Sequence, residues 1–229
     1  MLYDDNRSEY KISKELIDIR NEQLDGLAEV LEKLGVEVLR PAKTNLKRIE
    51  TPTFKTYGSS ASNVRDLTLV YNDTIVETPT FIRNRVYENL ALYSAFSKAF
   101  DNGRGGKWVK APLTSLVESS IDSSDWRKER DFSNVPDNVD MAIDAAQFLR
   151  IGKDVIVNVA TYNHFLGFKW VQSLFPETTF HVVKIADNHI DGALVCLKPG
   201  VFLCNPNVNA NLSIPPKFKS WTVIEPDVT

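Results

Sequence analysis

The sequence predicts an α/β fold assembled from repeated ββαβ units, and three observations predict it. A hairpin pattern, two short apolar runs on either side of a tight turn, occurs three times along the chain. Each hairpin is followed by a stretch for a helix and then by one more short apolar run. The chain also opens with a helix and an apolar run that read as the back half of such a unit.

The elements follow in order. Leu16, Ile19, Leu24, Leu27, Val30, Leu31 and Leu34 recur at helical spacing, so a helix is predicted over 14–34, stopped by Gly35. Val36–Leu39 reads as a short strand ended by Pro41, and 42–64 as a long polar loop. The first full unit has a hairpin at 66–71 and 74–77 around Asn72-Asp73, a helix over 84–100 and a strand at 107–110. The second has a hairpin at 147–150 and 154–157 around Gly152-Lys153, a helix over 162–174 and a strand at 180–184. The third has a hairpin at 193–197 and 201–204 around Pro199-Gly200 and a strand at 221–224, with Pro215 and Pro216 interrupting the helix between them. Small units of this kind cannot bury both faces alone and pack against their neighbours, for which a radial ring is one arrangement. A non-repetitive α+β fold is the alternative.

The 229 residues suffice for a buried core and are taken as one domain, 1–229. A formal net charge of −3 gives no reason to expect nucleic acid or an anionic membrane surface as partner. The start, Met1-Leu2-Tyr3-Asp4-Asp5, is acidic and lacks a basic segment before an apolar one, and no apolar run approaches the roughly 20 residues of a membrane span. Cys196 and Cys204 alternate within one apolar stretch as side chains of one strand face, not as a disulfide framework or zinc site. A soluble, cytoplasmic protein is expected.

Candidate chemistry collects at the starts of the hairpins. Asp66 opens the first, Asp144 lies just before the second, and His189 and Asp191 lie just before the third. In a His-x-Asp strand both side chains point to one face. In a ring all four would face a shared centre, where carboxylates accept a guanidinium and a histidine moves protons. Singly, each of these residues is as well explained by turn chemistry, so their equivalent placement in three units carries the reading. His164, His181 and His189 fall in separate elements without ligand spacing, so no metal is expected. Gly103-Arg104-Gly105-Gly106 lacks the Lys-Ser/Thr of a phosphate loop and reads as a turn; the charged run 126–131 reads as a solvated loop.

A family resemblance rests on many short matches in order. Arg65-Asp66, Glu77-Thr78-Pro79, Arg83, Arg85, Gly106-Lys107-Trp108 and Ala111-Pro112 come first. Asp144-Ala145-Ala146 with Phe148 and Gly152, then Asn163, Leu166-Gly167 and Trp170, follow. His189-Ile190-Asp191-Gly192-Ala193, Pro199-Gly200 and Asn205-Pro206 complete the series. Together they span about residues 30–226 and resemble the glycine amidinotransferase family of the pentein superfamily.

The resemblance implies a pentein-type α/β-propeller of five ββαβ units, of which this chain would hold about three and a half. It implies arginine, or another guanidino compound, as amidino donor and an amine as acceptor, with no cofactor. A cysteine attacks the guanidinium carbon, ornithine leaves, and the acceptor takes the amidino group. His189 would then be the general acid/base, Asp144 would support it and contact the guanidinium, and Asp66 and Asp191 would hold the guanidinium. The family's cysteine lies far downstream in a glycine-rich segment, so Cys196 and Cys204 are expected to be structural and the chain to be truncated and inactive alone. Gln147 stands where the family has a second Asp, and Asn188 precedes the histidine, which leaves the acceptor open.

Two other functions compete: a non-catalytic guanidinium-binding module, and a hydrolase of the arginine deiminase type. Asp144-Ala145-Ala146, where deiminases tend to have Glu-Gly-Gly, favours the transferase. Three units and a half would leave strand edges and apolar faces open, so a homo-oligomer or a complementing chain is expected.

Overall fold

The computed structural model describes residues 13–44, 48–59, 61–99, 106–208 and 213–227. Helix α1 (Lys14–Lys33) starts at Ser13, whose hydroxyl accepts the Leu16 N–H. It ends where Gly35 takes a φ of +81°, which lets the Gly35 and Val36 N–H groups cap the Glu32 and Leu31 carbonyls. None of its residues is buried. The strand expected at 36–39 does not form: no described strand pairs with it, and Val36 and Leu39 stay exposed.

The stretch read as a plain loop, 42–64, instead holds the two-residue strands β1 (Ile49–Glu50) and β2 (Lys55–Thr56), paired antiparallel. Their hairpin buries Ile49 and Phe54 against Leu116. A single helical turn, α2 (Val64–Leu67), follows, so Asp66 sits on a turn ahead of the first hairpin rather than within its strand.

Three sheets then repeat one plan. The first is β3 (Thr68–Tyr71), β4 (Thr74–Glu77) and β5 (Lys107–Lys110). The second is β6 (Phe148–Ile151), β7 (Asp154–Asn158) and β8 (Thr179–Val183). The third is β9 (Leu194–Lys198), β10 (Val201–Cys204) and β11 (Thr222–Ile224). In each, a tight antiparallel hairpin is joined by a closing strand parallel to its second member. A parallel partner needs a crossover, which the intervening segment supplies. This is the ββαβ repeat, with strand ends within a residue or two of the sequence reading.

The crossovers differ. In the second unit, α4 (Tyr162–Leu174) forms as predicted, with Thr161 Oγ1 accepting the His164 N–H. In the first, the expected helix over 84–100 breaks into 3₁₀ turns at Arg83–Arg85 and Glu88–Leu92, with α3 confined to Tyr93–Ala99. Arg85 causes the break by binding both Glu88 and Asp66, which fixes the chain away from α geometry. In the third, the described residues hold 3₁₀ turns at Pro206–Val208 and Pro216–Phe218 and no α-helix, consistent with the two prolines. Gly103–Gly105 lie outside the described residues.

Alternation divides the middle sheet between two cores. Phe148, Val155 and Val157 enter one cluster with Leu69, Val76 and Phe168. Leu149 and Ile156, on the opposite face, enter another with Ile190, Leu194 and Phe202. Both faces being covered, β7 is buried throughout, with Val155, Ile156 and Val157 as a continuous apolar run between Asp154 and Asn158. Cys196 and Cys204 both pack with the second cluster and are free thiols, but they lie on the paired strands β9 and β10 rather than on one strand. No helix among the described residues is long and apolar enough to cross a membrane.

Candidate active site

The four candidate residues come from the starts of three different units. Asp144 caps a 3₁₀ turn at Ala145–Gln147 that leads into β6, and it is fully buried. Its Oδ2 lies 3.0 Å from His189 Nε2. His189 Nδ1 lies 4.0 Å from Asp66 Oδ1. Asp191 stands two residues beyond His189, its Oδ2 receiving Arg65 Nη1 at 2.5 Å. The His-x-Asp segment is a turn before β9, not a strand. Ile190 is fully buried between them, and its N–H donates to the Ala146 carbonyl, which seats the segment against the turn bearing Asp144.

Burial works against a charged His189. The Asp144 hydrogen bond and charge, then the Asp66 and Asp191 charges, outweigh it and hold the imidazole pKa above 6.5. One oxygen of Asp144 is thus spent on His189. Its other oxygen, Oδ1, is buried and has no hydrogen-bond partner among the described residues. A buried carboxylate oxygen without a donor is costly.

The two guanidinium-holding candidates are already engaged. Asp66 receives Arg85 Nη1 at 2.8 Å, and Arg85 also forms a two-pronged pair with Glu88. Arg65 bridges Asp191 and the Phe148 carbonyl. Two of the site's carboxylates, Asp66 and Asp191, therefore each meet an arginine side chain of the same chain.

Gln147 has a structural task. Its Oε1 accepts the Asp144 N–H at 3.0 Å and its Nε2 donates to the Asn158 carbonyl at 2.8 Å. Both ends bond to backbone, and the side chain is fully buried, so it orients Asp144.

Three further residues build the site; the sequence reading named Asn163 only as a match to the family, placed Arg130 in a solvated run and did not name Asn158. Asn158, at the end of β7, accepts the Ile185 and Ala186 N–H groups and donates to the Ala186 and Asn188 carbonyls, clamping the loop that carries His189. Asn163 donates to the Ser120 and Asp140 carbonyls and accepts the Asp122 N–H, tying α4 to the long connection before Asp144. Arg130, expected in a solvated loop, has a side chain only 5% exposed. It binds Asp122 at 2.8 Å and backbone carbonyls of residues 124–128, so the charged run wraps around it. A buried polar side chain that satisfies backbone groups leaves no periodicity to read, which is why the pattern missed all three.

Neither cysteine is hydrogen bonded to the Asp144–His189 pair. Burial raises both thiol pKa values, and the Glu225 charge adds to this at Cys204. Among the described residues no group of three or more His, Cys, Asp and Glu could hold a metal ion.

Comparison with known proteins places this arrangement. No family model matches the chain. Over 204 residues, 87% of the chain, it is 34% identical to inosamine-phosphate amidinotransferase 1 of Streptomyces griseus, covering 57% of that protein. Over 220 residues, 92% of the chain, it is 32% identical to the L-arginine:L-lysine amidinotransferase of Pseudomonas savastanoi pv. phaseolicola, covering 59% of it. Its fold superposes on SxtG, an amidinotransferase of the saxitoxin biosynthetic pathway from Microseira wollei, with a TM-score of 0.79 and 28% identity, over 93% of this chain and 63% of that one. The chain thus spans less than two thirds of the length of these relatives. In sequence and in fold alike, the chain is similar to amidinotransferases over about nine tenths of its own length.

Proposed function

We propose that this chain supplies the guanidinium-holding and proton-moving part of an amidinotransferase site, with arginine as amidino donor and an amine as acceptor. The observation that carries the reading is Asp144: fully buried, one oxygen on His189, the other without a donor. A guanidinium N–H placed on that free oxygen would complete it, and Asp66 and Asp191 would compensate the cation's charge.

The chemistry then runs in two halves. A thiolate adds to the guanidinium carbon, and His189 gives its proton to the nitrogen that leaves with ornithine. The acceptor amine attacks the S-amidino carbon, the C–S bond breaks, and the proton shed by the amine returns to His189. Cys196 and Cys204 face the apolar core with raised pKa values, so we assign the thiolate to neither. A second reading follows from that same observation: a guanidinium-binding module without transfer. We further propose a cytoplasmic location and self-association or a complementing chain; the exposed apolar side chains of α1 support the latter.

The test combines calorimetry of arginine binding with an assay of ornithine release on the 229-residue protein. Arginine binds, Asp144→Asn weakens it by roughly tenfold or more, and no ornithine is released. Unweakened binding in Asp144→Asn overturns the reading. Release abolished by Cys204→Ala shows that this thiol is the nucleophile.

A further inference from the structure

The two arginines that meet the site's carboxylates are held in different ways. Arg85 is enclosed, its side chain 11% exposed, and each nitrogen of its guanidinium is engaged: Nε and Nη2 on Glu88, Nη1 on Asp66. Glu88 is buried as well, so parting this pair would strand charges out of water.

Arg65 is held by one edge only. Its Nη1 lies 2.5 Å from Asp191 Oδ2 and its Nη2 donates to the Phe148 carbonyl at 3.0 Å, while Nε has no acceptor among the described residues. The Arg65 side chain is 44% exposed and that of Asp191 39%. So open a pair parts at little cost, because water screens both charges and the freed side chains regain rotamer entropy.

The two bonds lay Arg65 across the site. Phe148 ends the 3₁₀ turn begun at Asp144, and Asp191 lies two residues beyond His189. The backbone under Arg65 is fixed independently, since its neighbour Asp66 is tied to the enclosed Arg85. Movement of Arg65 is therefore confined to its side chain and leaves Asp66, Asp144 and His189 in place. The chain's own guanidinium thus occupies acceptors on the two segments that carry Asp144 and His189.

We propose that Arg65 is a displaceable guard of the guanidinium site: it holds Asp191 and the Phe148 carbonyl in the unliganded protein and yields both to the guanidinium of arginine. The proposal rests on the amidinotransferase reading of the Asp144–His189 pair. An arginine ligand offers the same planar fork of N–H groups, so it replaces both bonds in kind, and Asp144 Oδ1 gains the donor it lacks. Arginine affinity is reduced by the strength of the Arg65 contact, because only the fraction of molecules with Arg65 swung out is competent to bind.

The experiment is calorimetric titration of arginine into the parent, Arg65→Met and Arg65→Lys. Met removes both the charge and the fork; Lys keeps the charge and removes the fork. Arginine binds Arg65→Met roughly threefold to tenfold more tightly than the parent, and Arg65→Lys more tightly by a smaller factor. The side chain is partly exposed, and an unchanged thermal midpoint verifies the fold; where Met lowers it, the Lys variant carries the test alone. Tighter binding in Arg65→Met beside unchanged binding in Arg65→Lys assigns the effect to charge at a distance and overturns the guard. Unchanged or weaker binding in Arg65→Met, with the fold intact, or weaker binding in Arg65→Lys makes Arg65 a residue that positions Asp191 or plays no part, and overturns it too. In each of those outcomes the parent binds arginine and the amidinotransferase reading stands. Arginine binding to none of the three proteins strikes that reading and the guard together.

Discussion

His189 Nε2 lies 3.0 Å from Asp144 Oδ2, with the Asp66 carboxylate on the ring's other side. The pair makes the imidazolium more stable in the fold than in the unfolded chain, because its pKa is raised above 6.5. That stability is fully present below 6.5 and is lost as pH rises through the folded value. A His189→Gln variant is therefore less stable than the parent at pH 5.5, and the gap narrows toward pH 9. Urea midpoints at the two pH values measure it; a gap that widens with pH contradicts the pairing.

Asn158→Leu removes four hydrogen bonds to backbone at 185–188 and strands buried N–H groups. A destabilisation of roughly 2–4 kcal/mol is expected from those unmet donors. Arginine affinity falls with it, because the clamped loop carries His189. Denaturant unfolding and calorimetry on the same variant report both effects.

Gly167 sits on α4 where a Cβ would come within 2.6 Å of Ile143 Cγ2 and 2.9 Å of the Ala142 carbonyl carbon. Gly167→Ala thus pushes the helix off the segment immediately before Asp144. Overpacking of this kind costs about 1–3 kcal/mol. Weakened arginine binding beside a lowered thermal midpoint is the expected signature.

Asp154 joins the second and third units by accepting from His181 Nε2 at 2.8 Å and Lys217 Nζ at 2.7 Å. Burial opposes its charge, but these two partners hold the carboxyl below its ordinary range. The contribution is present above pH 3.8 and is lost as pH falls through the lower folded value. Asp154→Asn is destabilised at pH 7, with the difference shrinking in acid; equal stability of the two proteins at pH 7 would count against the link.

Leu16, Leu27 and Val30 of α1 are each more than half exposed. Replacing Leu27 and Val30 with Glu leaves the thermal midpoint in place, since no packing is lost. The substitutions reduce self-association, which sedimentation velocity over a range of concentrations measures. A fall in midpoint would show that α1 packs on the body of the protein.

Much of the repeat was legible because hairpins and closing strands follow period-two patterning and turn chemistry, as at Asn72-Asp73 and Gly152-Lys153. Helix α4 was legible as the segment between the second hairpin and its closing strand. The 3₁₀ path at 83–92 was not, because a tertiary ion pair between Arg85 and Asp66 sets it. Asp66, Asp144, His189 and Asp191 stood out through their equivalent positions ahead of hairpins. Asn158, Asn163 and Arg130 did not, since their partners are backbone groups far along the chain.

Because Asp66 precedes β3, Asp144 precedes β6 and His189 precedes β9, the constellation belongs to no single sheet. Its geometry is a coincidence detector: it exists only while all three neighbours are docked together. Units of this kind can open separately, well below the free energy of global unfolding. Ligand affinity should then fade at lower denaturant than backbone circular dichroism does, reporting the weakest seam between units before any strand has melted.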